Sequence, residues 1–251
     1  MNVSRTIVPS KQGLKKIFSN FPPGIMNVPI SAWTLSIVVD VGTDSPFIVG
    51  TAFPIRDGVL VTAKHILREF QDATKPVHID RTLSALQILP RNRFITWRIT
   101  GTIVHKNADL AVLFAAPNEN GTEFWIPPWT ISQDAPRKGE WVGAFGNVKS
   151  SCQIVSRNSN GGGIIEVSNE GQANFGVVNN VYDGYRDRVM LPCPCFEVGV
   201  NFGFGMSGGP VFDEQGKICG IVSSSTEGGS SSYAVTLWPS LSQIYNGSIG
   251  T

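Results

Sequence analysis

The sequence predicts an all-β fold of two similar-sized, strand-rich units with a short C-terminal helix. Three observations carry that expectation. Short apolar, β-branched or aromatic runs recur along the chain, turn formers punctuate them, and helical periodicity is scarce. With 27 glycines and 16 prolines in 251 residues, turns are frequent, which suits many short strands packed as a sandwich or barrel.

In chain order, residues 1–28 read as an N-terminal arm. Phe21-Pro22-Pro23-Gly24 resists regular structure, and the basic cluster Arg5, Lys11, Lys15 and Lys16 reads as solvated. Strand-like runs follow at 33–40, 47–55, 59–63, 83–89, 94–104 and 110–115. They are separated by turn formers such as Gly42-Thr43-Asp44 and Arg56-Asp57-Gly58. Residues 64–70, straight after a strand, suit about two helical turns. Pro117, Pro127, Pro128 and Pro136 interrupt the pattern at 116–139, dividing a first unit at 29–125 from a second at 126–251. Strand-like runs resume at 141–145, 163–167, 175–178, 196–202, 210–212, 218–223 and 233–238, and residues 240–245 suit a terminal helix. A cleft between two such units is a common place for a site.

Composition excludes several function classes. The net charge is +1, without the basic excess that nucleic acid binding needs. No apolar run approaches the roughly 18 residues of a membrane span, and no secretory signal is seen, so a cytoplasmic location is expected. Cys152, Cys193, Cys195 and Cys219 read as free thiols; Cys193-Pro-Cys195 is not a CxxC pair, and no histidine beyond residue 105 completes a metal-ligand cluster with it. No cofactor or metal is expected.

The chemistry-bearing stretch is Gly203-Phe204-Gly205-Met206-Ser207-Gly208-Gly209-Pro210. A serine hydroxyl is a weak nucleophile unless a base takes its proton during attack. Acyl transfer also places negative charge on a carbonyl oxygen, and a glycine-bordered turn can aim backbone N–H groups at that charge. The alternative is a tight surface hairpin. A base must come from His65, His78 or His105. His65 follows a buried-looking strand and enters a short helix, so a rigid element would hold its imidazole. His78 falls in a loop or edge, and His105 reads as an ordinary side chain near a strand end. Asp109 stands at the mouth of the apolar run Leu110-Ala111-Val112-Leu113-Phe114, either as a strand-start cap or as the carboxylate that orients an imidazole.

Together, Gly50-Thr51-Ala52-Phe53, Val61-Thr62-Ala63-Lys64-His65, Asp109-Leu110-Ala111-Val112 and Gly205-Met206-Ser207-Gly208-Gly209-Pro210 resemble the landmarks of the trypsin/chymotrypsin-like serine peptidases. They occur in the same chain order, from about Trp33 to the terminal helix. The resemblance implies two six-stranded antiparallel β-barrels, the first carrying His65 and Asp109 and the second Ser207. It implies a serine endopeptidase with Ser207 as nucleophile, His65 as base and Asp109 as orienter, and with Gly205 and Ser207 N–H groups as the oxyanion hole. Ser223 matches the serine that supports the aspartate, and the serine run through Ser224 and Ser225 would pair with substrate backbone.

Departures from the family pattern are informative. Ile66 stands where secreted relatives carry a cysteine, and Met206 replaces the aspartate that pairs with a freed N-terminal amine in zymogen-type members. Cleavage of the arm is therefore not expected to activate this chain by that ion pair. Asn201 stands at the family's pocket base, flanked by Phe202 and Phe204, which implies a neutral or apolar residue before the scissile bond. The expected partner is a protein or peptide substrate. Two alternatives stay open: a catalytically silent peptide-binding module of the same fold, and a protease switched on by a regulatory protein partner.

Overall fold

In the first half of the chain, β-branched and apolar residues alternate with turn formers and give eight strands: β1 (Leu35–Val39), β2 (Phe47–Arg56), β3 (Val59–Thr62), β4 (Gln71–Asp72), β5 (Lys75–Ile79), β6 (Leu83–Leu89), β7 (Arg93–Val104) and β8 (Ala111–Pro117). The second half gives β9 (Trp141–Arg157), β10 (Gly163–Tyr182), β11 (Cys195–Val198), β12 (Pro210–Phe212), β13 (Ile218–Ser225) and β14 (Ser232–Thr236). Among the described residues the helices are the single turn α1 (His65–Arg68) and the terminal α2 (Leu237–Gly247). The computed structural model describes residues 32–39, 46–68, 71–72, 75–79, 83–89, 93–117, 129–157, 163–225 and 229–247. The expected arm at 1–28, with its basic cluster, lies outside the described residues.

The strands close into two six-stranded antiparallel barrels, β1-β2-β3-β8-β7-β6 and β10-β11-β14-β13-β12-β9, with β4 and β5 as a separate two-stranded sheet. Closure removes the unpaired edges that an open antiparallel sheet exposes. Leu35, Ile37, Leu60, Leu67, Trp97 and Leu113 fill the first barrel, and Val142, Phe196, Val211 and Cys219 lie in the core of the second. A third cluster spans the junction. Trp33 packs 5.0 Å from Phe145, 5.3 Å from Trp129 and 6.2 Å from Phe212, measured between ring centroids. The Trp129 indole N–H donates to the Pro54 carbonyl at 2.8 Å, so the connecting segment is tied to the first barrel. Aromatic packing of this kind fixes the groove between the barrels.

Several elements differ in extent from the sequence reading. The runs expected at 163–167 and 175–178 are parts of one 20-residue strand, β10, paired with the 17-residue β9. The described helical turn after β3 spans His65–Arg68, and the terminal helix begins at Leu237 instead of residue 240. Pro239 does not prevent this, because the first helical turn needs no intrahelical N–H bond. All four cysteines are free, and Cys193, Cys195 and Cys219 are buried.

Candidate active site

The register of the first barrel brings a histidine and an aspartate together. β3 and β8 run antiparallel with Thr62 opposite Ala111. His65 follows the end of β3 and Asp109 precedes the start of β8, so both leave the barrel at the same rim. His65 Nδ1 lies 2.8 Å from Asp109 Oδ2, and the His65 backbone N–H donates to Asp109 Oδ1 at 2.8 Å. The Ser223 hydroxyl, carried on β13 of the second barrel, donates to Asp109 Oδ2 at 2.5 Å. The Asp109 side chain is 12% exposed and that of His65 is 40% exposed. The carboxylate is thus hidden while the imidazole is open to a ligand. Burial raises the Asp109 pKa, but hydrogen bonds from His65 and Ser223 and the neighbouring imidazole outweigh burial and hold it below its ordinary value.

The glycine-bordered serine segment faces this pair. His65, Gly205 and Ser207 line one cavity of about 520 Å³, together with Ile48, Val49, Gly50, Ile66, Asn147, Lys149, Ser150 and Phe204. Among the described residues neither the Gly205 nor the Ser207 amide donates to another protein group, whereas the flanking amides are engaged. Met206 N–H bonds the Gly203 carbonyl at 3.1 Å, Gly208 N–H the Val222 carbonyl at 2.8 Å, and Gly209 N–H the Met206 carbonyl at 2.8 Å. Gly205 has φ +97°, and a Cβ there would stand 2.6 Å from the Asn147 carbonyl oxygen, so the position requires glycine. No hydrogen bond joins His65 to Ser207 here; such bonds tighten in many enzymes only when substrate is bound.

A second cavity of about 250 Å³, which shares His65 with the first, is lined by Lys64, His65, Asn107, Asp109, Val189, Met190, Pro192, Ser223 and Ser224. Val189 and Met190 are largely exposed there. β13 runs beyond its pairing with β12, which ends at Ile221, while Ser224 and Ser225 pair on the other side with Tyr233 and Ser232 of β14. Residues 223–225 therefore keep one edge without a strand partner among the described residues.

Asn201 and Ser225 do not line either cavity. The Asn201 amide donates to the Gly229 carbonyl at 3.2 Å, and the Ser225 hydroxyl donates to the Phe202 carbonyl at 3.1 Å. Phe204 is fully exposed at the cavity edge. His78 lies on β5. His105, read from sequence as an ordinary strand-end side chain, is buried. Its Nδ1 accepts from the Asn107 and Ala108 amides at 3.1 and 2.7 Å, and its Nε2 lies 2.9 Å from Gln243 Oε1 on α2. These contacts fold the turn that presents Asp109. Met206 is buried, with its sulfur accepting from Gly203 N–H at 3.3 Å. Among the described residues no group of His, Cys, Asp and Glu is arranged to hold a metal ion.

A family model for the trypsin-like peptidase domain matches residues 50–221, from within β2 to within β13, a span that includes His65, Asp109 and Ser207. The chain belongs to the trypsin-like peptidase family. No curated protein matches its sequence. Among solved structures, Deg5 is similar with a TM-score of 0.60 at 16% identity, over 96% of this chain and 98% of its own. The active form of the Rv3671c protease from M. tuberculosis gives 0.55 at 15% identity, over 90% of this chain and 88% of its own. An inactive form gives 0.51 at 16%, over 92% and 98%. At such identities the likeness is one of fold, and it agrees with the two-barrel architecture. As a trypsin-like peptidase domain the chain is a serine protease acting on protein substrates. None of its described helices is long and apolar enough to cross a membrane.

Proposed function

We propose that the chain is a serine endopeptidase working through Ser207, His65 and Asp109. The observation that carries this reading is the convergence on one cavity of a carboxylate-bound imidazole, a serine and two amides with no protein acceptor. Ser207 Oγ attacks the substrate carbonyl carbon while His65 Nε2 takes the hydroxyl proton, and the carbonyl electron pair moves onto oxygen. The Gly205 and Ser207 N–H groups stabilise that oxyanion. Collapse breaks the C–N bond, the imidazolium gives its proton to the leaving amine, and an acyl-enzyme remains. Water, deprotonated by His65, then releases the acid and restores Ser207. Asp109 keeps its charge throughout, holds the imidazole tautomer and stabilises the imidazolium.

On the acyl side, the open edge at residues 223–225 supports pairing with an extended substrate as an added strand. The absence of a carboxylate at Asn201 supports a neutral or apolar residue before the scissile bond. With an uncharged, buried Met206, no ion pair from a freed N-terminus drives activation. The test is labelling with a fluorophosphonate probe, located by peptide mass mapping. Labelling of Ser207 that Ser207→Ala abolishes is the expected result. A wild-type chain that stays unlabelled while folded overturns the reading of the chain as an enzyme on its own, in favour of a peptide-binding module or a protease switched on by a partner.

A further inference from the structure

Thr51 has no place in the chemistry described above, yet it makes more contacts with the serine segment than any other residue of the first barrel for which bonds are described. It lies on β2, fully buried, and reaches across the groove into the second barrel. Its backbone N–H donates to the Ser207 carbonyl at 2.8 Å. Its hydroxyl donates to the Gly205 carbonyl at 2.8 Å and accepts from the Asn147 N–H at 2.9 Å. Its own carbonyl accepts from the Thr62 hydroxyl at 2.7 Å, one strand away and three residues before His65. One side chain thus grips the serine segment and β9 simultaneously, and is itself braced against the strand that delivers the base.

The geometry at Gly205 gives this grip a purpose. Glycine at φ +97° has little steric preference of its own, so its orientation must be imposed from outside. Peptide planes are rigid, and only two dihedrals per residue separate the Gly205 carbonyl from the Gly205 N–H. Anchoring the carbonyls of Gly205 and Ser207 therefore restricts the direction of the two amides that lack protein acceptors. We propose that Thr51 is a positioning residue that holds the Gly205 and Ser207 amides pointed at the reacting carbonyl oxygen. The hydroxyl is the operative group, since the backbone bond to Ser207 is kept by any residue with an N–H while the bond to Gly205 needs the hydroxyl. This role rests on the oxyanion-hole reading given above and goes beyond it by assigning the control of that hole to the opposite barrel.

The test compares Thr51→Val, which keeps the β-branched shape without the hydroxyl, with Thr51→Ser, which keeps the hydroxyl. The readout is fluorophosphonate labelling of Ser207, resolved into probe affinity and the rate of bond formation, with thermal unfolding measured alongside. Losing one oxyanion donor outright costs about 10²–10³ in rate, so loosening both amides in Thr51→Val is expected to slow bond formation by about tenfold or more. Probe affinity before reaction should change little, and Thr51→Ser should stay within about threefold of wild type. A purely structural role would lower the melting temperature and the labelled fraction without slowing the rate at each competent site. Equal rates per labelled site in Thr51→Val and wild type, or a Thr51→Ser variant as slow as Thr51→Val, overturn the proposal while leaving the enzyme reading intact. An unlabelled wild type overturns both. If valine prevents folding, Thr51→Cys, with its weakly bonding thiol, carries the same expectation.

Discussion

Removing the Ser223 hydroxyl isolates one of the bonds that keep Asp109 ionised inside the protein. In Ser223→Ala the carboxylate loses the donor at 2.5 Å from Oδ2 but keeps both bonds from His65. A hydrogen bond to a charged group contributes about 1.5–3 kcal/mol net. For a chain of this size each kcal/mol moves the melting temperature by about 2–4 °C, so the variant should melt about 3–12 °C lower at pH 7. The pH dependence gives a sharper check. The native pKa of Asp109 is held below 3.8, so its ionised contacts contribute fully above 3.8 and fade as pH falls through the native value. The gap between wild type and Ser223→Ala should therefore narrow as pH falls through the native Asp109 value, measured by calorimetry at matched ionic strength. Equal melting temperatures at pH 7, or a gap that stays constant down to acid unfolding, would refute the charge-supporting role of Ser223.

Three further outcomes follow from the same contacts. Asp109→Asn keeps the shape but frees the imidazole tautomer, and kcat should fall by about 10⁴-fold with the fold retained; a loss below tenfold would count against Asp109 as orienter. Gly208→Ala places a methyl group against the Thr51 carbonyl and the Thr62 hydroxyl at φ +84°, so it should cost folded protein as well as labelling; a stable, fully active Gly208→Ala chain would contradict the packing described. Burial lowers the His105 pKa, the Gln243 bond opposes this, and Lys64 adds to the lowering. Its neutral form therefore contributes stability that is complete above pH 6.5 and is lost as pH falls through the native value. His105→Ala should flatten the decline in stability between pH 7 and 5, and parallel wild-type and variant curves would refute the buried neutral imidazole.

The barrel strands and the serine segment were legible in sequence because their signals are local. Apolar runs bounded by turn formers mark β2, β3 and β8, and glycines crowd around Ser207 because backbone approaches backbone there. The continuity of β10 was not legible. Residues 168–174 are mostly polar and read as a break, yet they pair with β9 in an antiparallel ladder that tolerates solvent on a face. His105 looked ordinary because the partner of its Nε2, Gln243, is far away in sequence. Thr51 was visible only as part of a motif. Its hydroxyl matters through contacts with Asn147 and Gly205 that depend on how two barrels meet, and no local pattern encodes that. Asn201 and Ser225 show the converse, since both occupy the expected segments but spend their side chains on Gly229 and Phe202.

The central claim is that Ser207 Oγ and the Gly205 and Ser207 amides address one and the same substrate carbonyl. A crystal structure of the chain with a peptide boronic acid tests this most directly. The expected adduct has boron bonded to Ser207 Oγ, one boronate oxygen about 2.7–3.1 Å from both amide nitrogens, and His65 within hydrogen-bond reach. A boronate attached elsewhere, or bound to Ser207 with both amides turned away from its oxygens, would contradict it.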